Sequence, residues 1–190
     1  MPELRQLIVA DATNWRAWLD AHHGGSPGVW LVLAKKGAST PTELRYDDAL
    51  DEALCFGWID GQKRSRDEVT FAQRFTPRRP GSRWSQRNVD IAERLEAEGR
   101  LHPAGRAEIA AARADGRWSM AYPGAATMTV PDDLQAALAA DPDAAAAFTA
   151  LSGQNRYSIL YRLATASRPE TRARRLTQFL ETLRRGETPH

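Results

Sequence analysis

Leu54-Cys55-Phe56-Gly57-Trp58-Ile59-Asp60-Gly61-Gln62 is where one kind of pattern stops and another begins. Upstream, Ala49, Leu50, Ala53, Leu54 and Phe56 form the inner surface of a helix predicted over Tyr46 to Phe56. Asp47 and Asp48 sit in its first turn, where the helix dipole favours acids. Gly57 is placed to end it in a left-handed conformation. Downstream, Trp58 to Arg66 reads as a strand, Ser65 to Glu68 as a turn, and Val69 to Arg78 as the returning strand. Val69, Phe71, Gln73 and Phe75 then share one face and Thr70, Ala72, Arg74 and Thr76 the other. An antiparallel hairpin results, and the apolar run Val29 to Lys35 joins it in a small sheet.

Working outward, Met1 to Val9 predicts a short strand or extended lead-in. Asp11 or Thr13 can cap a helix to about His23, with Trp15, Trp18 and Leu19 on one face. Past Pro80-Gly81 the pattern turns helical. Ser85 can cap a helix to Glu98, with Trp84 before the cap packing on Val89. Pro103 opens a helix from His102 to Asp115, and further helices are predicted over Asp132 to Ala140, from Asp141-Pro142, Asn155 to Ala166 and Pro169 to Arg185. The expected fold class is α+β: a small antiparallel sheet with helices in the N-terminal half, followed by an all-helical C-terminal half. The expected division is 1–80 and 81–186, packed as one unit, with a loose tail at 187–190.

Hydrophobic residues make up 42% and charged residues 26% of the 190, a globular rather than disordered balance. One cysteine excludes an internal disulfide, and one cysteine with four scattered histidines gives no metal-ligand spacing. No metal or other cofactor is expected. No apolar run approaches the ~20 residues that span a bilayer, and Met1 to Ala10 lacks an apolar export core. The expected location is the cytoplasm, without membrane insertion. Charge is uneven. From Gly57 to Asn88, Lys63, Arg64, Arg66, Arg74, Arg78, Arg79, Arg83 and Arg87 face only Asp60, Asp67 and Glu68. A second basic segment runs from Arg168 to Gly186. Basic segments on an acidic body point to an anionic partner; solvated structural arginines are the plainer reading.

Several of these segments resemble the YdeI/OmpD-associated, or bacteriocin-protection, family. They are Trp30 to Lys36, Tyr46 to Gly61, Arg74 to Arg78, Ser82 to Asn88, Gly99 to Gly105 and Glu170 to Arg175. Leu101 stands where that family often has methionine. The resemblance implies a role in envelope stress or in tolerance of bacteriocins and antimicrobial peptides, and it brings no reaction, cofactor or catalytic residue.

Cys55 is a candidate nucleophile, but a helix C-terminus disfavours a thiolate, and Leu54 and Phe56 make its setting apolar. Asp60 is a candidate general base; an ion pair to Arg74, Arg78 or Lys63 is the favoured alternative. The better set is an anion cradle: Arg74, Thr76, Arg78, Ser82, Ser85 and Asn88, at a basic hairpin feeding a helix start. Trp58 and Trp84 could stack on a ligand ring, or belong to the core. The leading expectation is a non-catalytic protein that binds an anionic small molecule or protein partner there. Alternatives are an enzyme using Cys55 or Asp60 beside Trp58, and a nucleic-acid binder.

Overall fold

The computed structural model describes residues 4–125, 127–166 and 168–188. Among these the chain forms four strands and eight helices, divided into two compact units at Ala121/Tyr122.

The first unit runs β1 (Gln6–Leu7), α1 (Ala12–His22), β2 (Val29–Ala34), α2 (Tyr46–Cys55), β3 (Trp58–Ser65), β4 (Thr70–Pro77), α3 (Gln86–Ala97) and α4 (Pro103–Ala114). The strand order is β1-β2-β4-β3. β3 and β4 form the expected antiparallel hairpin, and β2 pairs antiparallel with β4. The sheet is nevertheless mixed rather than purely antiparallel, because β1 runs parallel to β2. A parallel pair needs a crossover, and α1 supplies it.

Local chemistry sets the helix ends. Asp11 caps α1 by accepting from the Asn14 N–H at 2.9 Å, and Ser85 caps α3 by accepting from the Asn88 N–H at 3.2 Å. His102 caps α4 through Nδ1, which accepts from the Ala104 N–H at 3.2 Å. Gly57 ends the turn after α2 at φ 74°, as its position predicts.

One face of the sheet is the core. Val29, Leu31, Leu33, Phe71 and Phe75 pack with Trp15 and Leu19 of α1, Leu50 and Leu54 of α2, and Val89, Leu95 and Ile109 of α3 and α4. The helices α3 and α4 therefore belong with the sheet, so the unit ends at residue 121 and not at 80. Their apolar stripes are the partners that cover α2.

The second unit holds α5 (Asp132–Ala139), α6 (Pro142–Ala150), α7 (Gly153–Ala164) and α8 (Pro169–Arg184). Its own cluster includes Leu134, Phe148, Ile159, Leu163, Phe179 and Leu183. Ser152 begins α7 as its cap, accepting from the Asn155 N–H, so that helix starts two residues before the expected Asn155. Arg172 of α8 grips Asp133 of α5 with two hydrogen bonds of 2.6 and 2.7 Å and holds that carboxyl below the usual range. Of the expected tail, Pro189 and His190 lie outside the described residues, as do Met1 to Glu3 of the lead-in.

Candidate functional site

The turn from α2 into β3 holds Cys55, Trp58 and Asp60 and gives them different tasks. Cys55 is fully buried. Its carbonyl accepts from the His102 N–H at 3.0 Å, and Gly105 packs against that same carbonyl. Burial pushes the thiol pKa up, and the charge of Glu52 adds to the rise. Glu52, itself buried, accepts from Arg16 and from Arg100 at 2.6 Å each. A buried thiol with a raised pKa is a structural cysteine. Cys55 should therefore resist a thiol-labelling reagent in the folded protein and react fully in denaturant; rapid native labelling would contradict this burial.

Trp58 is only 1% exposed. Its indole N–H donates to the His23 carbonyl at 3.2 Å, and its ring meets Trp15 and Trp18 edge to face. It is a core residue with its polar tip satisfied. Trp84 is likewise 1% exposed, packed on Trp118 with the Arg78 guanidinium 3.6 Å from its ring centre. Arg78 is 5% exposed and donates to the Arg83 carbonyl at 3.1 Å. Stacked and buried, it holds the 78–84 turn together rather than facing solvent. Asn88 is buried beneath the α3 start, and Ser85 is occupied by capping.

Asp60 does not take the ion pair expected of it. Its carboxylate accepts from the Tyr46 hydroxyl at 2.7 Å, and among the described residues it forms no ion pair with Arg74, Arg78 or Lys63. The register explains why. Asp60 lies opposite Phe75, on the helix-covered face, while Arg74 lies opposite Trp30 on the other. Tyr46 also accepts from Arg87 at 3.4 Å, and Arg87 pairs with Asp47 at 2.8 Å. Burial, then the Asp60 charge, pushes the tyrosine hydroxyl well above its ordinary pKa, so it remains a donor.

Three of the predicted ligand residues do converge. Arg74, Thr76 and Ser82 line an open cleft of about 550 Å³ with Ile59, Gly61, Gln62 and the turn Pro77 to Ser82. Arg79 joins them, counted in the sequence only as one basic residue among eight. Its signal was the following Pro80-Gly81, which predicts a turn and so an outward side chain. The stem of Arg74 runs beside Gly61, its side-chain carbons at ordinary contact distance, 3.7 Å, from where a Cβ would stand. No carboxylate lines this cleft, and neither Arg74 nor Arg79 forms an ion pair among the described residues. The buried Nε of Arg74 has no hydrogen-bond partner. Chemically, the cleft offers two guanidinium groups, a threonine and a serine to an incoming anion. No cluster of potential metal ligands occurs among the described residues.

This is an α+β unit with a carboxylate-free basic cleft, followed by a separate helical unit. The chain belongs to the family described as a domain of unknown function, DUF8412, whose model matches residues 7–108, just over half of its length. Residues 127–186 match the family described as "Bacteriocin-protection, YdeI or OmpD-Associated". Of the segments that carried that resemblance in the sequence, Glu170 to Arg175 falls inside this second match, whereas those from Trp30 to Gly105 fall inside the first. No curated protein and no solved structure matches the chain.

Proposed function

We propose that the chain is a non-catalytic binding protein that takes an anionic group, phosphate or carboxylate, in the cleft of Arg74, Thr76, Arg79 and Ser82. The observation that carries this reading is the pair of guanidinium groups, Arg74 and Arg79, in a cleft without any carboxylate. Forked arginines bind oxyanions in bidentate geometry, and a threonine and a serine add neutral donors. Catalysis is the weaker alternative, because Cys55 is buried and Asp60 is held by Tyr46.

The match over 127–186 supports the second part of the proposal, a role in envelope stress or in tolerance of bacteriocins and antimicrobial peptides. The chain would exert it from the cytoplasm. No helix among the described residues is long and apolar enough to cross a membrane.

A thermal-shift screen against inorganic phosphate, phosphorylated metabolites and carboxylates tests the binding. A ligand at 100 times its Kd adds about 2.7 kcal/mol to stability. Arg74→Ala and Arg79→Ala should each abolish the shift, and Arg174→Ala in the second unit should leave it intact. A shift that survives both cleft substitutions would sink the assignment.

A further inference from the structure

The face of the sheet opposite α1–α4 carries both buried apolar residues and arginines. Trp30 lies opposite Arg74, and Val32 lies opposite Ala72, which in turn lies opposite Arg64. Paired residues on neighbouring strands share a face, so Trp30, Arg64 and Arg74 stand on the same side. That side carries the cleft of Arg74 and Arg79 and also a second cleft of about 470 Å³, whose lining includes Arg5, Trp30, Arg64 and Arg66. Among the described residues, no carboxylate lines either cleft. Arg66 is paired with Asp67 and the Arg5 guanidinium lies 5.6 Å from the Trp18 ring on the helix side, but Arg64, Arg74 and Arg79 form no ion pair among the described residues. The Arg64 guanidinium lies 3.8 Å from the centre of the Trp30 ring. Arg64 is exposed, so a planar cation backed by an aromatic ring presents its outer plane to solvent.

We propose that this face binds single-stranded nucleic acid. Backbone phosphates run along Arg64, Arg74 and Arg79, and a base stacks on the outer plane of Arg64 where it rests on Trp30. The proposal rests on the anion-binding reading of the Arg74 cleft and extends it to a second cleft on the same side. The two clefts are joined by the Trp30–Arg74 pair, so one strand can occupy both. Charge supplies affinity for the backbone, and the guanidinium–indole stack supplies the sequence-tolerant platform that single strands need. A duplex keeps its bases stacked internally and offers none to that platform.

The test is fluorescence anisotropy of the full chain with a labelled oligothymidylate of about 16 nucleotides, a length that covers one such platform. Three neutralised phosphates predict a slope of about −2 in log K against log salt, or about twentyfold weaker binding between ~50 and ~200 mM. Arg64→Ala should weaken binding about tenfold through loss of a stacked base. Arg174→Ala should leave it unchanged. Inorganic polyphosphate of equal charge should compete poorly, because it has no bases. Binding indifferent to Arg64→Ala, or polyphosphate competing as well as the oligonucleotide, would overturn the proposal. If phosphorylated metabolites still shift the melting point through Arg79 while the oligonucleotide does not bind, the nucleic-acid track is lost and the small-anion site stands.

Discussion

Trp58→Ala lowers the stability of the first unit by about 3–5 kcal/mol, the range for truncating a fully buried aromatic. Urea denaturation measures it as a fall in the midpoint at unchanged slope. The magnitude follows from what the indole does at once: it donates to the His23 carbonyl, it meets the rings of Trp15 and Trp18 edge to face, and it fills the space between α1 and β3. Trp58→Phe retains most of the ring volume but leaves that carbonyl without the indole donor, so a smaller loss is expected. Neither change should remove a ligand from the Arg74 cleft, whose lining does not include Trp58. An effect within about 0.5 kcal/mol, the ordinary size for a surface substitution, would mean that the ring is not core.

Gly105→Ala is expected to destabilise the same unit by about 3 kcal/mol, as overpacking against a rigid partner does. On an open helix the sign would be opposite, because alanine has the better helix propensity by about 1 kcal/mol. Here a Cβ would lie 2.2 Å from the Cys55 carbonyl oxygen and 2.9 Å from that of Leu54. Both are backbone atoms at the end of α2 and cannot swing aside as a flexible side chain would, so α4 must back away. Gly153→Ala at the start of α7 is the control, since nothing lies within 4 Å of its Cβ position. The two variants should move the denaturation midpoint in opposite directions. A stabilised Gly105→Ala would show that α2 and α4 do not meet so closely.

The parts of this fold that the sequence makes legible are local ones. Asp11, Ser85 and Asp141 each cap the helix they precede, because an N-cap needs only a short acceptor and a nearby free N–H. Alternation over Val69 to Arg78 identifies the helix-facing side of β4, since side chains on a strand change face at every residue. The parallel pairing of β1 is not legible. It involves two residues brought together with β2 across the whole of α1, and no short-range pattern specifies it.

The candidate site was partly legible, for a related reason. Polar and aromatic residues alternating along a hairpin describe a ligand cleft and a half-buried sheet equally well. Trp58 and Trp84 went to the core, and Arg78 followed Trp84 because a guanidinium can be buried flat on an indole. Arg74 and Thr76, on the other side of the same strand, line open space. Asp60 was misplaced relative to Arg74 because facing depends on the alignment of β3 with β4, which puts Asp60 opposite Phe75 and Arg74 opposite Trp30. On the Phe75 side of the sheet, Asp60 meets a tyrosine of α2. The outer stack of Arg64 on Trp30 joins β2 to β3 through β4, so it emerges only once the strand order is known.

His102 carries a consequence of its own. A ring nitrogen that accepts from the Ala104 N–H must keep its lone pair, so the single proton of the neutral imidazole resides on Nε2, which lies 4.0 Å from Asp20. Burial first, and then the electrostatic influence of the neighbouring His23 ring, lower the pKa of His102 and favour that neutral form. The start of α4 therefore selects one tautomer of its own cap.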